Sequence, residues 1–197
     1  ERGISIGSRR GGAELRASEA IDGPTAEASA LLATIRMLRS GITTTTDSHA
    51  AWRDSDRVEG SIAAAARSGM RVLLHVAFLD RTDLIPRGRQ FDSDAALTEL
   101  TRLRSFAKGP LVEIEPEALS LPRASDELII ALHSARRRIM AMHLNYSREF
   151  RDWSRNTHGH GAVEHLAHLG VLDDGWLLAP PVHLEPGEEE LIAEAGA

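Results

Sequence analysis

Two pairs of histidines lie close together in the stretch NTHGHGAVEHLAHLG. His165 and His168 are three residues apart in a segment that we predict to be helical, so both side chains share one helix face. Two imidazoles on one face could bind a divalent ion, although histidines on a helix surface or between helices are commoner. His158 and His160 form a His-x-His pair in a polar, glycine-rich stretch, which predicts a loop with no strand before it.

Other candidate residues stand where apolar stretches end, which is where parallel α/β proteins carry their chemistry. His143 follows MAM, Glu117 follows EIEP, and Asp47 and His49 follow TTTT. An imidazole or a carboxylate at such a position can bind a metal ion or transfer a proton. From the residues alone, His143 could also be a hydrogen-bonded histidine without a metal. Glu117 could also be a solvated or salt-bridged glutamate.

The stretch GWLLAPPVHL ends its apolar run at Pro180 and Pro181. Proline cannot donate a hydrogen bond to a neighbouring strand, so it belongs at a strand end or at a sheet edge. We therefore predict a strand that ends at Pro180. A proline there can shape a pocket, but it cannot transfer a proton.

Apolar or β-branched stretches alternate with segments of helical spacing along the whole chain. Strands are predicted at about residues 43–47, 71–78, 111–115, 139–145 and 176–180, and residues 1–24 are predicted to be mostly loop. This alternation predicts an α/β fold whose strands are parallel neighbours in chain order, joined by right-handed crossovers. The pattern alone does not separate a barrel from an open sheet.

The first predicted helix covers TAEASALLATIRMLRSG, with Thr25 as its N-cap and Gly41 at its end. Its apolar face is predicted to consist of Leu31, Leu32, Ile35 and Leu38. A later helix, SDELIIALHSARR, is predicted to be capped by Ser125.

The composition sets broad limits on function. The chain has 197 residues and a net charge of −6, with 4% aromatic residues and no basic block, which argues against a nucleic-acid partner. It contains no cysteine, so disulfides, thiolate metal sites and cysteine nucleophiles are excluded. No apolar run approaches the roughly 20 residues of a membrane span. We therefore expect a cytoplasmic protein without a membrane partner.

Three stretches occur in an order that resembles a known family: LLATIRMLRSGITTTTD, AARSGMRVLL and VEHLAHLGVLDDGWLLAPPVHLEPGEEELIAEAGA. Residues 25–197 together resemble the amidohydrolase superfamily, in the branch that contains chlorohydrolases and cytosine and guanine deaminases. The resemblance implies a (β/α)8 TIM barrel with a mononuclear metal site, holding zinc or iron, at the carboxyl ends of the strands. It also implies that residues 1–197 form a single partial barrel domain with about strands two to six.

The resemblance assigns roles to several strand-end residues. His143 falls at a metal-binding histidine of the fifth barrel strand, and Tyr146 stands where a catalytic glutamate follows it. On the sixth strand, Pro180 replaces a histidine that contacts the attacking water and the substrate, and His183 matches a second, less essential histidine. Glu149 could substitute for the missing glutamate from a loop.

Two further strand ends complete the predicted site. On the fourth barrel strand, Glu117 replaces a substrate-contacting histidine. On the second, Asp47 and His49 fall where the family has residues with structural or substrate-side roles. We take Glu117 and Tyr146 as candidate catalytic residues and His143 as the metal ligand. The residues predicted to line the substrate pocket are Asp47, His49, Pro180 and His183.

Two functional hypotheses follow. The first is a metal-dependent hydrolase that acts on a C–N or related bond of a small-molecule substrate. The second is a divergent member of the fold that binds or transforms a small molecule without the usual water-activating residues. In both, His143, Glu117, Tyr146 and Pro180 are expected to converge on one cleft. A sheet of five strands has open edges, which we expect to be covered by further segments or by another subunit, so a homo-oligomer is one expected form.

Overall fold

The computed structural model describes residues 20–51, 53, 56–81 and 90–197. Most of the predicted amino-terminal loop, residues 1–19, lies outside the described residues. The strands are β1 (Thr44–Ala50), β2 (Arg71–Phe78), β3 (Val112–Ala118), β4 (Met140–Met142) and β5 (Trp176–Leu178). The helices are α1 (Gly23–Arg39), α2 (Arg57–Ser68), α3 (Ser93–Arg104), α4 (Asp126–Ala135), α5 (Arg148–His158), α6 (Ala162–His168) and α7 (Glu188–Ala195), and a 3₁₀ turn covers Leu121–Arg123.

The five strands form one parallel sheet in the order β1-β2-β3-β4-β5. Each strand thus pairs with its neighbour in the sequence, which confirms the predicted parallel arrangement and its order. Strand β4 has only three residues, shorter than predicted, whereas β1 and β3 continue three residues beyond their predicted ends. In a parallel sheet all carboxyl ends point the same way, so the segments that follow the strands meet at one edge.

Alternation along the strands decides which side chains face the helices. In β2, the residues Val72, Leu74, Val76 and Phe78 belong to the main hydrophobic core. His75 lies between them in the sequence, so its side chain points to the opposite, inner face of the sheet. Because Ala77 pairs with Glu117 and Glu117 pairs with Ala141, the register places Glu117 on that inner face too.

The amino-terminal half of β3 is fixed by a buried ion pair. Arg104, from the last turn of α3, donates to Glu115 Oε2 at 3.0 Å and to the carbonyl oxygens of Ile114 and Ala135 at 3.1 and 3.0 Å. The backbone N–H of Arg137 donates to the same Glu115 oxygen at 3.0 Å. One guanidinium thus joins α3, β3 and the end of α4, with its hydrogen bonds satisfied.

Helix α1 differs from the prediction at its start and on its buried face. The N-cap is Asp22, whose Oδ1 accepts a hydrogen bond from the backbone N–H of Thr25 at 2.9 Å, so Thr25 is not the cap. Leu32 and Ile35 are 51% and 44% exposed, whereas the buried residues of α1 are Gly23, Ala26 and Thr34. The predicted apolar stripe is therefore wrong for Leu32 and Ile35, whereas Leu38 is partly buried and packs against the main core.

Helix α5 was not predicted, because its sequence, REFRDWSRNTH, is mostly polar and only Ser154 is buried. It ends at Gly159, which has a left-handed conformation with φ 81°. The prediction that His158 lies in a loop is therefore wrong, because His158 is the last residue of this helix. Glu149 lies in the first turn of α5, which corrects its predicted loop position.

No helix in the described part of the chain is both long and apolar enough to cross a membrane. Among the described residues, β1 and β5 each pair on one side only. The expectation that further segments or another subunit cover these two edges stays a prediction.

The packing of α1 on α2 depends on Gly60. A Cβ atom at this position would overlap the carbonyl oxygen of Gly23 and would lie 3.0 Å from the backbone nitrogen of Glu27. Because both neighbours are backbone atoms, the helices would have to separate. We expect Gly60→Ala to lower the free energy of unfolding by about 1–3 kcal/mol, measured by urea denaturation. Ala66→Ser, on the exposed side of the same helix, should change it by less than about 0.5 kcal/mol, and an equal effect of both variants would contradict the close packing.

Candidate functional site

A cleft of about 410 Å³ opens where β3, β4 and β5 end. It is lined by Leu119, Ser120, Arg123, His143, Tyr146 and Pro180. Three residues that the sequence predicted to converge, His143, Tyr146 and Pro180, thus lie around one space. The fourth, Glu117, contacts His143 directly.

Glu117 and His143 form the polar centre of this region. Glu117 Oε1 lies 3.5 Å from His143 Nε2. The Glu117 side chain is 1% exposed, and its Oε2 has no hydrogen-bond partner among the residues that the structure describes. A buried carboxylate oxygen without a partner is unfavourable in the folded protein, and such atoms are a recurrent mark of ligand and catalytic sites.

The two groups share an environment that disfavours charge. Burial raises the pKa of the Glu117 carboxyl to about 7; the nearby Ser48 side chain opposes this shift, and the charge of Asp47 adds to it. Burial also lowers the pKa of His143, and the positive charge of Arg123 acts in the same direction. A carboxyl group with a pKa near neutrality can both release and accept a proton, which suits a general acid or base.

The turn after β4 holds Tyr146 at the rim of the cleft. Asn145 has a φ of 46°, a left-handed conformation that asparagine tolerates better than most residues. The Tyr146 ring packs on Phe150 of α5 with ring centroids 4.3 Å apart, and the Arg123 guanidinium lies 5.7 Å from the Phe150 centroid. Burial raises the pKa of the Tyr146 hydroxyl above its ordinary value, so near neutral pH this side chain is a hydrogen-bond donor and a poor base.

Pro180, just after β5, lines the cleft but has no side-chain group that can transfer a proton. The backbone N–H of Ala179 donates to the carbonyl of Met142 at 3.0 Å, and Pro180 follows at the exposed rim. His183 donates its backbone N–H to the carbonyl of Asn145 at 3.0 Å, which ties this loop to the turn after β4. The His183 ring is not among the groups that line the cleft.

The structure does not bring Asp47 and His49 into this cleft. His49 contacts α2, with its Nε2 3.4 Å from Arg57 Nε and its Nδ1 3.4 Å from Ser61 Oγ. Asp47 lines a different cavity, of about 230 Å³, together with residues of α1 and α2. Alternation is the reason, because Ser48 between them points to the inner face and both neighbours point to the helices. Their assignment to the substrate pocket stays a prediction.

Sequence reasoning missed His75 and Arg123. His75 is 1% exposed on the inner face, where burial lowers the pKa of its ring and the Pro116 backbone opposes this shift. The sequence contained a sign of this residue, because a histidine interrupts the otherwise apolar VLLHVAF. A buried polar group in such a stretch requires an explanation. Arg123 lies in the 3₁₀ turn after β3, where the sequence LPR predicts no particular side-chain direction.

Residues 7–197 match the sequence model of the amidohydrolase family. The chain belongs to the amidohydrolase family. The match covers nearly the whole chain and confirms the resemblance seen in the sequence. No curated protein sequence matches the chain.

Solved structures show which fold the sheet belongs to. An amidohydrolase from Brucella melitensis superimposes with a TM-score of 0.88 and 19% identity, covering 100% of this chain and 48% of its own. Atrazine chlorohydrolase from Arthrobacter aurescens TC1, complexed with zinc, gives 0.80 and 19%, covering 91% of this chain and 42% of its own. An adenosine deaminase from Xanthomonas campestris with bound zinc gives 0.73 and 17%, covering 90% and 39%.

These similarities confirm the predicted fold class, a partial (β/α)8 barrel of the amidohydrolase type. The chain spans less than half the length of each of these three structures. The roles of Glu117, His143 and Tyr146 therefore depend on the geometry described above, and they are taken up as a proposal below.

The partly buried His49 ring makes stability depend on pH. Burial and the positive charge of Arg57 lower the pKa of His49 from 6.5 to about 4. Below a pH of about 6.5, His49 binds a proton in the unfolded chain but stays neutral in the folded chain. The free energy of unfolding therefore falls as the pH drops from about 6.5 to 4, and His49 does not change it above a pH of about 6.5. From pH 7 to pH 5 we expect the wild type to lose about 1–2 kcal/mol more than His49→Gln.

Urea denaturation of both proteins at the two pH values measures this difference. Other titrating groups contribute equally to both proteins and cancel in the comparison. Equal losses in the two proteins would show that the folded state binds a proton on His49 at about pH 5 as readily as the unfolded state, which would contradict the lowered pKa.

Proposed function

We propose that the protein is a metal-dependent hydrolase that acts on a C–N or related bond of a small molecule, with Glu117 as its proton-transferring group. One observation carries this proposal: a buried carboxylate with a free oxygen lies 3.5 Å from the His143 imidazole beside a cleft at the strand ends. Family membership supports it, because the related atrazine chlorohydrolase and adenosine deaminase were both solved with zinc.

His143 fits a metal ion in donor type, because zinc accepts an imidazole nitrogen at about 2.0–2.1 Å. Glu117 Oε1 lies 3.5 Å from His143 Nε2, so the carboxylate is close enough to act on a water molecule beside that nitrogen. Within the described residues no group of three metal-binding side chains surrounds His143. The remaining ligands would have to come from outside the described residues.

A zinc or iron ion at this place would supply a Lewis acid and activate water for attack. His143 would hold the ion through Nε2. Glu117 would take a proton from the attacking water and deliver it to the departing nitrogen, so that a C–O bond forms as the C–N bond breaks. Arg123 and Tyr146 line the cleft as hydrogen-bond donors for the substrate.

The second hypothesis, a changed chemistry, rests on Tyr146 and Pro180. Both occupy positions that handle protons in the family that the sequence resembles, and neither side chain is a base near neutral pH. If Glu117 does not replace the missing groups, the cleft would bind a small molecule without hydrolysing it. The two hypotheses differ in whether the wild type hydrolyses a substrate and, if it does, whether Glu117 is required.

Turnover is measured with the purified protein loaded with zinc or iron. Suitable probes are ammonia release from adenosine, cytosine and guanine, and chloride release from atrazine. We expect His143→Ala to lose both the bound ion and activity. Glu117→Gln keeps the size of the side chain but removes the carboxylate that accepts and releases a proton, and it should lower kcat by about 10²–10⁴-fold.

Tyr146→Phe is the matched control in the same cleft. It removes one hydroxyl and keeps the ring on Phe150, so kcat should fall by less than about tenfold. Equal losses in Tyr146→Phe and Glu117→Gln would contradict the role of Glu117. Binding of a probe without turnover in the wild type would favour the second hypothesis.

A further inference from the structure

A cluster of histidines lies where α5 ends and α6 begins, and none of its members lines the cleft at the strand ends. The rings of His158 and His165 stack with centroids 3.6 Å apart. His160 lies on the short connection between the two helices, and Glu164 and His168 lie one turn apart on α6. The hydrolytic site described above uses none of these residues.

Three of these side chains bring donor atoms to one point. One donor atom each from His160, Glu164 and His168 lies within 4.8 Å of the other two. His160 Nε2 and His168 Nδ1 are 3.3 Å apart. Two nitrogens that bind one tetrahedral zinc ion at about 2.0–2.1 Å lie about 3.3–3.4 Å apart, so this pair already has the required spacing.

His160 Nε2 lies at the centre of the cluster. His160 Nε2 faces two other ring nitrogens, His168 Nδ1 at 3.3 Å and His165 Nδ1 at 3.1 Å. A ring nitrogen has either one proton or one lone pair, so neutral His160 Nε2 can donate only one of these two hydrogen bonds. A metal ion between His160 and His168 would bind through the lone pairs of both nitrogens, so neither would need a proton there.

His165 is held in place by a carboxylate. Its Nε2 lies 3.1 Å from Asp126 Oδ1, at the start of α4, and the residue is 6% exposed. The carboxylate accepts the Nε2 proton and so fixes the ring with its Nδ1 3.1 Å from His160 Nε2. Asp126 thereby limits where the neighbouring His160 ring can lie.

We propose that His160, Glu164 and His168 form a second metal site, for a zinc-class divalent ion, with His165 and Asp126 as positioning residues. Two imidazoles and one carboxylate suit zinc and neighbouring transition metals, and they exclude a calcium-type site of oxygen donors only. The ion would join the α5–α6 connection to α6 and so fix the segment that leads into β5. This site is independent of the proposed hydrolytic function.

Metal stoichiometry tests the site. The purified protein is stripped with chelator, equilibrated with micromolar free zinc and analysed for bound ion, and Co²⁺ absorption reports the coordination. Wild type should bind one ion more per chain than His168→Gln, whose exposed side chain can be replaced without disturbing the core. Asp126→Asn should keep the stoichiometry and weaken zinc binding by at most about tenfold, because Asp126 acts only through His165.

Two variants separate this site from other sources of bound metal. His158→Gln removes a stacking ring that is not among the three donors, so it should leave the stoichiometry unchanged. His143→Ala tests the proposed hydrolytic site, and it should leave the ion held by His160 and His168 in place. The proposal is overturned if His168→Gln binds as much zinc as the wild type with the same Co²⁺ spectrum, or if His143→Ala removes all bound metal.

Discussion

The register between β3 and β4 is the constraint on which the candidate site depends. Glu117 pairs with Ala141, and this single pairing places the carboxylate within 3.5 Å of the imidazole that follows β4. A shift by one residue would turn Glu117 towards the helices and separate the two groups. The same alternation explains why Ser48 acts on the Glu117 carboxyl, while Asp47 and His49 on either side of it lie against the helical layer.

Strand positions could be predicted from the sequence because each strand is a compact apolar or β-branched run. The stretch RVLLHVAF became β2 with the predicted bounds, and the parallel order followed from regular alternation with helices. The helices were less predictable. In α1 the spacing of the leucines and Ile35 suggested the buried face, but the close approach allowed by Gly60 buries the face with Ala26 and Thr34. In α5 the polar sequence gives almost no apolar period to detect.

Within the site, residues at strand ends were predictable and their partners were not. His143, Tyr146 and Pro180 line one cleft because every strand end of a parallel sheet opens at the same edge. The contact of Glu117 with His143 depends on register, which no local pattern specifies. Likewise, the meeting of His160 with His168 depends on Gly159, whose left-handed conformation turns the chain back onto α6.

The ion pair of Arg104 and Glu115 has a consequence for how this protein tolerates change. It fixes one half of β3 through a guanidinium with several satisfied hydrogen bonds, while two residues further along the same strand Glu117 keeps an oxygen without a partner within the described residues. The anchored half of the strand and the half that carries the proposed proton-transferring group are therefore separate. Under the proposed function, substitutions around Glu117 would change the cleft while the anchored half preserves the fold, so new activities could arise at the strand ends without loss of the scaffold.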